Sequence, residues 1–207
     1  MERSVKPAGA ELTGGPLTVA DALVLTLREW GVGEVFGVSG ANIEDFHDSI
    51  HRYGDGEMVS VAARSESGAA FMADAQARAG APLAVCCSTS GGGMMNLAVG
   101  VAESYQEGIP VLAIVGQIPT PLNGLGGFQD SSGIGHTVHA ENLWGAISKA
   151  VRVIDDPETF WDDFREVVTA ILSPRRGPGV LLIAKDVFKK TVPARPQDWP
   201  SSLDALR

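Results

Sequence analysis

Cysteine is scarce in this sequence: there are two in 207 residues, and they are adjacent, Cys86 and Cys87. Neighbours in an extended segment point to opposite faces, so this pair can supply neither a disulfide framework nor a metal knuckle, and both are expected in the core. Positive charge is also in short supply, with 16 Lys and Arg against 25 Asp and Glu. Without a basic stripe the chain is a poor match for nucleic acid or an anionic membrane surface. No apolar run approaches the roughly 18 residues needed to cross a bilayer, and the first residues hold no apolar signal core, so the cytoplasm is the expected location. A cluster of oxygen ligands suited to a magnesium ion is missing too, so no metal-binding residue is assigned. Proteins and small molecules remain as the expected partners.

What is present is a hydrophobic content of 44%, enough for one sizeable core. Residues 1–16 are Gly/Pro-rich without period and read as a disordered leader. Residues 17–190 read as one domain, and 191–207 as a Pro-rich, loose tail. Within the domain, Thr18 and Asp21 make a capping-box-like start to a helix carrying Ala20, Leu23, Leu27 and Trp30 on one face. Short apolar runs at 35–38, 58–63, 83–87, 111–115, 150–153 and 180–183 read as strands, with helical patterns between most of them. Asp155, Asp156 and Pro157 open a further amphipathic helix bearing Phe160, Phe164, Val167, Val168 and Ile171. This alternation predicts an α/β fold, a parallel sheet with helices on both faces. The segment 116–140 is long, Gly-rich and aperiodic, which suggests a functional loop.

The stretch Ala63 to Gly80, ARSESGAAFMADAQARAG, stands out. A lone acid, Glu66, sits where an apolar run turns into a helix of small residues, among them Gly68, Ala69, Ala70, Ala73, Ala75 and Ala77. Such a helix is suited to close packing against another, and a carboxylate in its first turn would be oriented by backbone N–H groups and the helix dipole. Two other features also follow strands directly: the Ser39-Gly40 turn and the loop Ser88 to Gly93. In parallel sheets ligands bind beyond the carboxyl ends of the strands, so the three should gather on one edge as one site.

The same residues carry a family likeness. From Thr18 to Val187 the chain resembles the N-terminal, pyrimidine-binding domain of thiamine-diphosphate enzymes of the acetolactate synthase and 2-oxo acid decarboxylase group. Four motifs agree in order and spacing: FGVSGANIEDFHDSI, RSESGAAFMADAQAR, STSGGGMMNLAVGVAES, and GIPVLAIVGQIPT with GGFQD. The resemblance implies that Glu66 is the carboxyl group that bonds the cofactor's pyrimidine and promotes loss of the thiazolium C2 proton. To shuttle a proton near neutrality it should be buried against apolar surface, at a subunit contact. The likeness also places Ser39, Gly40, Ser90, Gly91, Gly92 and Asn96 beside the cofactor, and Phe128 and Gln129 near the substrate. Ser39, Ser65 and Gly92 stand where the family often has Pro, His and Pro, which leaves the identity of the 2-oxo acid open.

The family normally continues into a diphosphate-binding domain with a Gly-Asp-Gly sequence followed by Asn. Gly54-Asp55-Gly56 has the first part, but it precedes a strand and reads as a turn. The expectation is therefore one subunit of a split enzyme performing decarboxylation with carboligation. A partner subunit would carry the diphosphate-binding domain and hold most of the thiamine diphosphate and Mg²⁺, in a homo- or heteromer. The alternative is a non-catalytic assembly or regulatory protein that keeps the fold. None of His47, His51, His136 and His139 matches a family motif at high specificity.

Overall fold

The computed structural model describes residues 16–206, so the leader proposed for 1–16 lies, apart from Pro16, outside the described residues. In chain order the elements are α1 (Val19–Glu29), β1 (Glu34–Gly37), α2 (Glu44–Tyr53), β2 (Val59–Ala62), α3 (Glu66–Arg78), β3 (Ala84–Ser88), α4 (Gly92–Glu107), β4 (Val111–Gln117), α5 (Ala140–Gly145), β5 (Ala150–Ile154), α6 (Phe160–Leu172), β6 (Gly179–Ala184) and α7 (Lys185–Phe188). The strands form one six-stranded sheet in the order β2-β1-β3-β4-β6-β5, and every pairing is parallel. The α/β reading is thus correct. Among the described residues no helix is long and apolar enough to cross a membrane.

Two cores flank the sheet. On one face α1, α2, α6 and α7 bury residues such as Leu23, Phe46, Phe164 and Phe188 against Val85, Ile114 and Ile183 of the strands. On the other, α3, α4 and α5 bury Ala70, Leu97 and Trp144 against Phe36, Ala113 and Leu182. The adjacent cysteines divide between them, Cys87 in the first core and Cys86 in the second, as the alternation of a strand requires. Both thiols are free and fully buried, and burial pushes the Cys87 thiol up to about 12 and that of Cys86 higher still.

Local chemistry sets the element ends. Thr18 Oγ1 accepts from the Asp21 N–H at 3.2 Å while Asp21 accepts from the Thr18 N–H at 3.3 Å, a complete capping box. The helix predicted from Pro157 begins with a short 3₁₀ turn, Pro157–Thr159, capped by Asp156, before α6 proper. The aperiodic segment after β4 contains a 3₁₀ turn at Thr120–Leu122 and the six-residue α5, neither of which shows a period in sequence.

The Pro-rich tail differs from expectation, being packed where a loose segment was foreseen. Thr191 bridges Thr18, Val192 N–H donates to Leu17 at 2.9 Å, and Trp199 is 93% buried. Its ring stacks on Trp30 with centroids 6.0 Å apart, and Trp30 Nε1 donates to the Pro200 carbonyl at 3.1 Å. Trp161 Nε1 donates in the same way to the Pro193 carbonyl. Aromatic burial on α1 and α6 thus outweighs the composition of the tail.

Candidate active site

Glu66 is the first residue of α3, and the residue before it caps the helix: Ser65 Oγ accepts from the Gly68 N–H at 3.1 Å. The small residues predicted to allow close packing do so against α4. A methyl on Gly100 would come within 2.6 Å of Ala70 Cβ, so the two helices meet almost backbone to backbone. One turn earlier on each helix, Asn96 Nδ2 donates to Glu66 Oε2 at 3.1 Å. The other carboxylate oxygen, Oε1, lies over Gly93, where an added Cβ would stand 3.1 Å away. Oε1 makes no hydrogen bond among the described residues. Glu66 itself is half-buried in this chain.

The neighbouring loops are tied to this point. Ser90 is fully buried and accepts from Asn42 Nδ2 at 2.8 Å, while the Asn42 N–H donates to Thr89 Oγ1 at 3.3 Å. The turn after β1 therefore rests on the loop after β3, and Gly40 makes this possible, since a Cβ there would lie 2.7 Å from Thr89 Cβ. Gly116 on β4 is equally constrained: a Cβ on it would run into the Asn42 carbonyl. Gly91 takes φ +62° as the cap of α4, a backbone that side chains rarely adopt. The side chain of Gln129, itself at φ +63°, fills the space a Gly91 Cβ would need.

Of the residues proposed from sequence, Glu66, Asn96, Gly91 and Ser90 thus sit in or beside one cluster, with Gln129 folded onto it. Gly40 contacts the cluster through Thr89, while Gly92 faces open space and Ser39 lies exposed on its turn. Phe128 is 85% exposed beside Gln129. Asn42 was not singled out, and Thr89 and Gly93 entered only as members of the loop Ser88 to Gly93. The role of Asn42 depends on a loop 47 and 48 residues away, and local sequence gives no sign of it.

Two histidines occupy other depressions. His139 lines a cavity of about 300 Å³ beyond β4, β5 and β6, with Gln117, Ser131, Glu141 and Asp155. His47 Nδ1 pairs with Ser60 Oγ at 2.8 Å, and burial lowers its affinity for a proton. Among the described residues no three His, Cys, Asp or Glu side chains gather as they would around a metal ion.

An α/β sheet whose carboxyl edge carries a carboxylate, a glycine loop and an adjoining turn defines a ligand-binding domain of the doubly covered parallel class. Comparison with known proteins makes this specific: residues 17–136 match the family described as thiamine pyrophosphate enzyme, N-terminal TPP binding domain, and the chain belongs to that family. It is 33% identical over 185 residues to a probable acetolactate synthase large subunit of Methanocaldococcus jannaschii, covering 89% of this chain and 30% of that protein. It is 31% identical over 189 residues to the acetolactate synthase isozyme 3 large subunit of Escherichia coli, covering 90% and 31%. A third relative, an uncharacterized 42.6 kDa protein of Pseudomonas amyloderamosa, is 33% identical over 178 residues, covering 86% and 42%. The chain thus spans about a third of the length of the two acetolactate synthase subunits and 42% of the third relative.

Proposed function

We propose that this chain is the pyrimidine-binding subunit of a cytoplasmic, split thiamine-diphosphate enzyme that decarboxylates a 2-oxo acid and joins the product to an acceptor, as in acetolactate synthases. The observation that carries the reading is the carboxylate of Glu66, fixed through one oxygen by Asn96 and left open at the other above Gly93.

The residues present fit the pyrimidine end of the cofactor. A flat ring needs a wall without side chains and an acid at its edge, and Gly93 beside Glu66 Oε1 offers both. Bound thiamine diphosphate would supply the electron sink for a 2-oxo acid. Glu66 would hold a hydrogen bond to the pyrimidine ring and pass a proton across it. The Ser90–Gly93 loop would lie against the ring, and Phe128 and Gln129 would border the substrate. The diphosphate and its Mg²⁺ are assigned to a partner subunit.

The partner is supported by the outer faces of α3 and α4. Phe71 and Met72 on the helix that Glu66 opens, and Met95, Val99 and Tyr105 on the helix that carries Asn96, are all more than a third exposed. Docking on this face would complete the burial that a proton-shuttling carboxyl requires.

The decisive measurement is exchange of the cofactor's C2 proton in the reconstituted complex. Glu66→Gln is nearly isosteric yet cannot exchange a proton, so the rate should fall by about 10²–10⁴ while assembly survives. Glu103→Gln, on α4 outside the matched positions, is the control. Equal rates in wild type and Glu66→Gln would return Glu66 to the role of a helix-start charge and favour the non-catalytic assembly reading.

A further inference from the structure

The geometry points to Asn96 as the positioning residue that decides which oxygen of Glu66 faces the cofactor, an inference that rests on the reading above. The helices α3 and α4 both leave the carboxyl edge of the sheet in the same direction, and their contacts repeat at four-residue steps on each. Glu66 meets Asn96, Ala70 meets Gly100, and Asp74 accepts from Ser104 at 2.8 Å. Steps of four keep residues on one side of a helix, so these contacts form a single seam. Ala70 and Gly100 pack with no room for an added methyl, and the buried Asp74–Ser104 hydrogen bond fixes the register of the seam. Asn96 is therefore delivered to Glu66 by the packing of two helices.

Its consequence is an asymmetric carboxylate. Unrestrained, a Glu side chain turns about its last torsion and presents its two oxygens equally. Here Asn96 Nδ2 occupies Oε2, and Oε1 is the oxygen left over Gly93. Asn96 thus contacts the proton-transferring group and acts through it, with no need to touch the cofactor.

Two measurements on the full chain and its complex test this. In the purified chain without cofactor, the ¹⁵N-resolved side-chain amide of Asn96 should move on Glu66→Ala, which removes its acceptor, and should not move on Glu103→Ala. In the reconstituted complex, Asn96→Leu keeps the shape of the side chain and removes the donor. C2-proton exchange should drop about tenfold, the worth of one hydrogen bond to a charged group, with cofactor affinity and assembly unchanged. If Asn96→Leu exchanges within twofold of wild type while Glu66→Gln is slow, the Asn96 contact is incidental and the enzyme reading stands. If Asn96→Leu acts only by weakening cofactor affinity, Asn96 is a direct cofactor ligand and the inference is wrong. If Glu66→Gln also exchanges normally, the enzyme reading itself has failed.

Discussion

Ser104 Oγ donates to Asp74 Oδ2 across 2.8 Å, two helical turns beyond the contact of Asn96 with Glu66 and along the same seam. Arg78 clamps the same carboxylate from the other side at 2.5 Å, so Asp74 is satisfied although it is 95% buried. Position along the α3–α4 seam is thereby set by polar contacts, and separation by the small residues between them.

Gly100→Ala tests that separation. In an ordinary helix the change would stabilise by up to about 1 kcal/mol. Here the new methyl meets Ala70 at 2.6 Å, and overpacking of this kind costs about 1–3 kcal/mol. The net sign should be destabilising, seen as a lower thermal midpoint, and Ala70→Gly in the same chain should recover part of the loss.

Val99→Glu tests the outer face of the seam. Val99 is 58% exposed, so the charge should leave the stability of the isolated chain within about 0.5 kcal/mol. If the proposed complex forms on this face, light scattering of the co-expressed chains should show its loss. A complex of unchanged mass would mean that the partner docks elsewhere.

Trp199→Ala tests the packed tail. The ring stacks on Trp30, meets Trp161 edge-on at 4.7 Å and lies under the Arg165 guanidinium at 5.1 Å. Truncation of a buried Trp costs about 3–5 kcal/mol. The unfolding midpoint in urea should fall accordingly, and limited proteolysis should cut beyond Pro193 in the variant before wild type.

The acid limb of stability should depend in part on Asp21. Burial by itself pushes this carboxyl up, but the Ser49 hydroxyl, the Thr18 hydroxyl and N–H, and the Arg52 guanidinium together hold it below the ordinary carboxylate value. A depressed folded-state value means that the contribution is present above the unfolded-state value of about 3.9 and is lost as pH falls through the folded one. Asp21→Asn should therefore be less stable than wild type at pH 7, with the gap narrowing below about pH 4. Urea midpoints between pH 7 and 3 check the sign.

The order of strands and helices could be read from sequence because the strands are short apolar runs and several helices have a clear apolar face, as with Phe160, Phe164, Val167 and Ile171 of α6. Glu66 was equally visible, since its place between β2 and a small-residue helix is a local property. What escaped was long-range. Trp30 and Trp199 stack from opposite ends of the chain, so the proline content of the tail was a poor guide to its order. The short α5 has no period to detect, being held by His139 as its cap and by the buried Trp144. Asn42 looked like a turn residue because the hydroxyls that give it a role, on Thr89 and Ser90, arrive from another loop.

Gly116 lets the turn after β1 close backbone to backbone on β4, and Gly40 lets it close on the Thr89 side chain, with no room for an added methyl at either point. Such a contact cannot be tuned in small steps; it is either kept or refolded. Under the proposed function, a mutagenic library built to redirect the substrate would therefore be placed at the rim, at Ser39, Phe128 and Gln129.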